Sequence, residues 1–254
     1  IDELGPKPDD FNQILNFGDL IYLKINDDSL ILDQIPNVEA SLISIDPNQG
    51  DVIAYVGGKN FNESNFDRVR LSFPQSGSSF KPFIYSSSLA NGYNLSSLIN
   101  DAPIVFEDQN LESAWRPQNY TGEFYGPISI RDALVKSVNI VSIKLLRELG
   151  IENSHDYLKK FGFPKSRLPK DLSLALGSGN FSPAEMVRAY SVIASNGFIP
   201  DIYFIDSIKD RDGNNIFSQS EYNSSLNYQK ISAFPWLDTI EMNAKRPYYV
   251  LNSL

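Results

Sequence analysis

A chain of 254 residues with 42% hydrophobic content can bury one large core and carry a small appendage, while a formal net charge of -9 without any Lys/Arg run excludes the basic face that nucleic-acid binding requires. The absence of cysteine and the presence of a single histidine, His155, remove disulfides, thiolate chemistry and cysteine-based zinc sites and give a transition-metal centre no ligand set. No apolar run approaches the roughly 18 to 20 residues that span a bilayer, and the acidic start Ile1-Asp2-Glu3-Leu4 does not read as a signal peptide.

Residues 1–38 are polar and interrupted by Pro6, Pro8 and Pro36, with short strand-like runs at Leu20-Ile21-Tyr22-Leu23 and Leu30-Ile31-Leu32, and read as the end of a linker or of a small β module. A domain over 39–254 follows. Its first elements are Ser41-Leu42-Ile43-Ser44-Ile45 and Asp51-Val52-Ile53-Ala54-Tyr55-Val56 around the turn residues Pro47-Asn48-Gln49-Gly50, a predicted β-hairpin.

The middle of the chain reads as helical. Ser129 and Asp132 form a capping pattern ahead of Ile130, Ala133 and Leu134, and Ile140, Ile143 and Leu146 mark one face of a helix that Gly150 ends. Ser154-His155-Asp156-Tyr157 lies near a helix start and predicts a surface histidine, since no G-x-S-x-G elbow exists to make it part of a Ser-His-Asp hydrolase. Ser182-Pro183-Ala184-Glu185 opens a further helix through Met186, Val187, Tyr190 and Ile193 to Gly197. Beyond it, Ser207-Ile208-Lys209 and Ile216-Phe217 flank Arg211-Asp212-Gly213, a second predicted hairpin whose acidic turn lacks the distal glutamate of a calcium loop. Hairpins on both sides of a helical block predict an α+β domain with an antiparallel sheet built from both ends of the sequence. The chain has no initiator Met and stops at Val250-Leu251-Asn252-Ser253-Leu254 as if within a helix. A longer protein is therefore expected, with any anchor or export signal outside this chain.

The chemistry concentrates in Gln75-Ser76-Gly77-Ser78-Ser79-Phe80-Lys81-Pro82-Phe83. Residues i and i+3 at a helix start share a face, so Ser78 and Lys81 can act as nucleophile and base. A lysine is a base only when burial or positive potential lowers its pKa, and a helix N-terminus supplies that potential. Pro82 suits a first helical turn, and Gly77 admits a substrate backbone. The competing reading is that Ser78 merely caps the helix running through Phe83, Ile84 and Leu89. S-x-x-K acyltransferases also carry an S-x-N, for which Ser137-Val138-Asn139, Ser178-Gly179-Asn180 and Ser225-Leu226-Asn227 are candidates. Asn139 has its own alternative, capping the helix that follows. Trp115 and Tyr120 are either cleft-mouth or core aromatics.

Over about residues 34 to 217 the sequence resembles the class A, bifunctional penicillin-binding proteins of Gram-negative bacteria. The likeness rests on Gln34-Ile35-Pro36, Gly57-Gly58, Gln75 to Phe83, Trp115-Arg116-Pro117-Gln118-Asn119-Tyr120, Lys136-Ser137-Val138-Asn139, Leu174-Ala175-Leu176-Gly177-Ser178 and Ala189-Tyr190 through Asn196-Gly197. The resemblance selects Ser137-Val138-Asn139 among the three S-x-N candidates. It implies a β-lactamase/transpeptidase-like α+β fold, an antiparallel sheet with a helical subdomain, preceded over 1–38 by a linker or oligonucleotide-binding-like segment. The activity it implies is peptidoglycan D,D-transpeptidation: Ser78 attacks the penultimate D-Ala carbonyl of a stem peptide, Lys81 is its base, Ser137 relays the proton and Asn139 holds the peptide. The implied partners are the D-Ala-D-Ala donor peptide, an amine acceptor and β-lactams, with no metal or organic cofactor. The family's K-T-G motif is missing from these residues, so the domain is expected to be truncated before that strand: either the polypeptide continues beyond Leu254 or this copy is incomplete and inactive as given. The glycosyltransferase domain and membrane anchor would precede Ile1, at the periplasmic face of the inner membrane. A D,D-carboxypeptidase or β-lactamase-type hydrolase and a non-catalytic penicillin sensor are the alternatives.

Overall fold

The computed structural model of the chain describes residues 9–26, 29–34, 38–105 and 115–225, and the chain divides into two compact units, Ile1–Glu39 and Ala40–Leu254. Calls on Pro6, Pro8, Ile35-Pro36, Leu226-Asn227 and the terminal Val250–Leu254 run lie outside the described residues. In the first unit, β1 (Tyr22–Asn26) pairs antiparallel with β2 (Ser29–Asp33), in the register Tyr22↔Asp33 to Asn26↔Ser29, close to the two runs expected from β-rich residues.

The second unit opens with β3 (Leu42–Ile45) and β4 (Val52–Val56), paired antiparallel. Their turn is held by Asp46, whose Oδ1 accepts from the backbone N–H groups of Asn48 (2.7 Å) and Gln49 (2.8 Å), the local bonding that makes Asp a turn residue. A 3-10 turn, Gly77–Phe80, then runs directly into α1 (Lys81–Ala90), with Pro82 in the first helical turn as expected.

α1 is buried on every side: Lys81, Phe83, Ile84, Tyr85, Ser86, Ser87 and Ser88 are all interior. A helix without a solvent face must lie between two cores. Phe80, Phe83 and Ile84 pack into one, with Phe161, Phe163, Leu174, Phe181, Ala189 and Val192. Tyr85 faces the other, with Ile99, Ile128, Ile130, Ala133, Val138, Val141 and Leu145. This placement carries Lys81 into the interior although it is the helix's first residue.

The second core is framed by β5 (Leu98–Asp101) and β6 (Gly126–Ser129), an antiparallel pair, and by α2 (Ile130–Val135) and α3 (Asn139–Leu149). Ser129 caps α2 as expected, its Oγ accepting from the Asp132 N–H at 3.0 Å, and Gly150 ends α3. α4 (Ile151–Leu158) follows at once. His155 corrects the expectation of a surface histidine: it is fully buried. Its Nε2 lies 2.9 Å from the Pro169 carbonyl, which only accepts, so Nε2 carries the proton. Packing of the inner face of α4, which also buries Ser154 and Leu158, decides this.

α5 (Pro183–Ala194) begins with the capping box expected at Ser182 and Glu185. Glu185 is gripped besides by the Arg167 guanidinium through both carboxylate oxygens. The second hairpin, β7 (Ser207–Lys209) with β8 (Asn215–Ser218), turns through Arg211-Asp212-Gly213 as expected, and α6 (Gln219–Ser225) follows. The fold is therefore α+β, and among the described residues its antiparallel pairing occurs as four two-stranded ladders. The early and late segments meet at a parallel bridge, Asp51 with Tyr203, made by Val52 N–H to Tyr203 O (3.0 Å) and Tyr203 N–H to Gly50 O (3.1 Å). Among the described residues no helix is long and apolar enough to cross a membrane.

Candidate active site

The turn that carries Ser78 is held from behind by a second loop. Ser76 N–H donates to Gly179 O (3.0 Å) and Gly77 N–H to Gly177 O (2.8 Å), and the Ser76 hydroxyl lies 3.1 Å from both carbonyls. The two backbones approach so closely that a Cβ on Gly177 would collide with Gly77. Gly77 itself has φ +56 and open space around it, the left-handed conformation that only glycine adopts cheaply. The Ser178-Gly179-Asn180 candidate is thus a buttress of the turn that carries Ser78. Ser78 is exposed and lies within the 3-10 turn, where it caps nothing. Among the described residues its hydroxyl has no hydrogen-bond partner.

Lys81 is 1% exposed. Its ammonium donates to the Ser137 carbonyl (2.5 Å), the Ser137 hydroxyl (3.0 Å) and Asn139 Oδ1 (2.7 Å), one acceptor for each of its three N–H groups. Burial lowers its pKa to about 8, because removing water disfavours the charged form. Lys81, Ser137 and Asn139 are therefore assembled in one place, whereas the Ser78 hydroxyl is not bonded to the Lys81 ammonium and the two residues are joined only by the Lys81 N–H donating to the Ser78 carbonyl. A three-residue spacing puts the two on one face. It does not make them partners while a buried ammonium has carbonyl, hydroxyl and amide oxygens available.

Ser137 can offer two oxygens because of how α2 ends. Ser137 N–H bonds to Leu134 O (3.0 Å) and Val138 N–H to Ala133 O (2.8 Å), a Schellman motif whose Val138 and Ala133 are both buried in the second core. The residue at its left-handed position is ordinarily glycine, and here it is serine at φ +53. Such a conformation costs a residue with a Cβ about 1–2 kcal/mol. Ser137→Gly and Ser137→Ala both delete the hydroxyl, but the glycine variant is expected to be the more stable of the two by about 1 kcal/mol, read from urea denaturation. Equal stability of the two would contradict strain at this position.

Asn139 is the first residue of α3 and does not cap it: the N-cap position is Val138, which offers no side-chain acceptor. Asn119 takes that role from a distant loop, its Oδ1 accepting from the N–H groups of Asn139 (3.0 Å) and Ile140 (3.3 Å). Asn139 Nδ2 donates to the Gln118 carbonyl at 2.8 Å, which turns Oδ1 toward Lys81. Gln118, Asn119, Gly177 and Gly179 are the site-building residues that reasoning from spacing does not find. Gln118, Asn119 and Gly177 stand in the strings that carry the resemblance and Gly179 only within an S-x-N candidate, and no local pattern ties them to Ser78 or Asn139. Trp115 packs against the core around α1, and Tyr120 is fully exposed.

The family described as Penicillin binding protein transpeptidase domain matches residues 40–234. Penicillin-binding protein 1A of Pseudomonas aeruginosa is 46% identical over 211 residues, covering 83% of this chain and 26% of that relative. A crystal structure of penicillin-binding protein 1A from Haemophilus influenzae is similar with a TM-score of 0.72 and 35% identity, over 78% of this chain and 30% of that one. The PonA1 protein of Mycobacterium tuberculosis, solved in complex with penicillin V, has a TM-score of 0.62 and 25% identity, over 73% of this chain and 52% of that one. The chain spans about a quarter of the length of the curated relatives it matches.

Proposed function

Because the chain belongs to the penicillin-binding protein transpeptidase domain family, we propose that it is the acyl-transferring part of a peptidoglycan D,D-transpeptidase that β-lactams also acylate. The observation that carries this reading is the Lys81 ammonium, buried and bonded to Ser137 and Asn139 from 56 and 58 residues away. A buried lysine with a pKa near 8 is neutral in roughly one molecule in ten at pH 7. The neutral amine has two N–H groups and a lone pair, so one of the three present contacts is released and the lone pair is free to take a proton.

Ser78 is the nucleophile. Its Oγ bonds to the penultimate D-Ala carbonyl carbon as its proton passes to Lys81. The carbon–nitrogen bond then breaks, and the departing D-Ala nitrogen takes a proton through the Ser137 hydroxyl, which contacts Lys81. The acyl ester on Ser78 is resolved by an amine of a neighbouring stem peptide. Attack forms a new amide and returns the proton to Ser78. Asn139 binds the peptide with the part of its amide that Lys81 and Gln118 leave open. In the intact protein the glycosyltransferase domain and membrane anchor precede this chain at the periplasmic face of the inner membrane, and residues 1–38 end a linker or oligonucleotide-binding-like segment. A hydrolase on the same scaffold needs a carboxylate to direct water at the ester. Among the described residues none is bonded to Ser78, Lys81, Ser137 or Asn139, so no observation favours that reading.

The test is labelling with a fluorescent penicillin, a probe supported by the penicillin V complex of PonA1. The intact protein is expected to be labelled covalently and Ser78→Ala not at all. Label that persists on the folded Ser78→Ala variant means that another residue is the nucleophile.

A further inference from the structure

The N-terminus of α3 presents a problem that its own sequence does not solve. The N–H groups of a first helical turn need acceptors, Val138 supplies none, and Ile140 is fully buried, out of reach of water. Asn119 answers with one oxygen shared by two N–H groups. An asparagine side chain can be turned over, exchanging oxygen for NH2, and turned over it would aim donors at donors.

What prevents this is Asp101. Its carboxylate, at the end of β5, is fully buried and, among the described residues, is paired with no cation. It accepts from Asn119 Nδ2 at 3.1 and 2.9 Å and from the Tyr125 N–H at 2.9 Å, while the Glu123 carbonyl takes Asn119 Nδ2 from another side at 2.9 Å. A carboxylate and a carbonyl only accept, so this pocket admits the Asn119 amide in one orientation, with Oδ1 toward α3. Burying an unpaired carboxylate is costly, and the orientation it imposes is what that cost sustains. The neighbouring Gln118 carbonyl treats Asn139 in the same way, receiving its Nδ2 and leaving Oδ1 for Lys81.

We infer that Asn119, oriented by the buried Asp101, is a positioning residue of the site: it fixes the first turn of α3 and so the Asn139 oxygen that holds the Lys81 side chain. The chain of contacts runs from Asp101 to Asn119, to the backbone of Asn139, to the amide of Asn139, and to Lys81. Neither Asp101 nor Asn119 touches the reacting atoms. This inference rests on the proposed role of Lys81.

The experiment measures covalent labelling of the intact protein by a fluorescent penicillin, separating the acylation rate constant at saturation from the half-saturating probe concentration, alongside thermal unfolding. Asn119→Ala, measured well below its melting temperature, is expected to lower the acylation rate constant roughly 100-fold, as a misplaced catalytic group does, with the half-saturating concentration changed less than about threefold. A folded Asn119→Ala variant with the parent rate constant overturns the inference. Should that variant fail to fold, the exchanged pair Asp101→Asn with Asn119→Asp decides. It keeps an acceptor on α3 and a bond between the two residues, but sets a carboxylate oxygen against the Glu123 carbonyl and brings the negative charge to the residue bonded to Asn139. Its acylation is expected to reappear with the pH midpoint raised by about half a unit or more, since a nearer anion favours the ammonium. A folded exchanged pair with the parent midpoint also overturns the inference. Ser78→Ala separates the two failures: label on that variant sinks the proposed function itself, while its absence beside a fully active Asn119→Ala sinks only the positioning role.

Discussion

Replacing Lys81 by Met is expected to lower acylation by a fluorescent penicillin roughly 1,000-fold, the scale of a lost general base, and to change how stability depends on pH. The Lys81 pKa falls from 10.5 to about 8 on folding because the ammonium is buried. Below pH 8 the group is charged in both states, and its burial is a constant penalty. Between about pH 8 and 10.5 the unfolded chain keeps a proton that the folded chain has released, so stability rises with pH across that window. The gain is about 3 kcal/mol when the window has been crossed, a large share of the 5–15 kcal/mol that holds a typical domain together. Subtracting the denaturation free energies of Lys81→Met from those of the parent, pH by pH, isolates this term because the other titrating groups are common to both. A flat difference between pH 8 and 10.5 would mean that Lys81 keeps its proton in the folded protein. In the parent, the acylation rate constant should climb about tenfold per pH unit below 8 and level off above it.

Phe80→Ala is expected to damage the fold and the site together. Phe80 is fully buried, stacks on Phe181 with ring centroids 5.6 Å apart and an interplanar angle of 8°, and touches Phe83 and Phe163 at 5.5 and 5.0 Å. Truncating a buried phenylalanine costs about 3–5 kcal/mol through lost transfer free energy and the cavity left behind. Phe80 also stands between Ser78 and Lys81 at the junction of the 3-10 turn and α1, so the relaxation falls on the turn that carries Ser78. Phe161→Ala is the matched control. That ring is equally buried and contacts Phe83 and Tyr157 at 5.2 and 5.7 Å, but lies outside the segment from Ser78 to Lys81. Both variants should lose comparable stability in urea, and only Phe80→Ala should also lose acylation per folded molecule. A loss below about 1.5 kcal/mol for Phe80→Ala would show that the aromatic cluster closes over the gap.

Several elements were legible because their causes are local. Asp46 and Gly50 make the β3–β4 turn, Ser129 and Ser182 cap α2 and α5, and Arg211-Asp212-Gly213 turns the last hairpin, each through bonds within five residues of its own position. Periodicity likewise marked Ile140, Ile143 and Leu146 as one buried face. His155 was misread for the complementary reason: its polarity and place near a helix start say nothing of the elements that cover α4.

For the site, residue type and spacing alone determined which side chains were candidates: a serine and a lysine one turn apart at a helix start, and a serine and an asparagine at the break between two helices. Tertiary structure decided which of them meet. It gave the Lys81 ammonium to Ser137 and Asn139 and left the Ser78 hydroxyl without a partner among the described residues, put Ser178-Gly179-Asn180 behind the turn that carries Ser78, and assigned the cap of α3 to Asn119, 20 residues away from Asn139. The reason is physical. A backbone N–H or an ammonium taken out of water must find an acceptor, and any acceptor in reach will serve, so its identity depends on what the packed chain brings alongside. The lowered pKa of Lys81 has the same origin, because burial lowers it and burial belongs to the packed core.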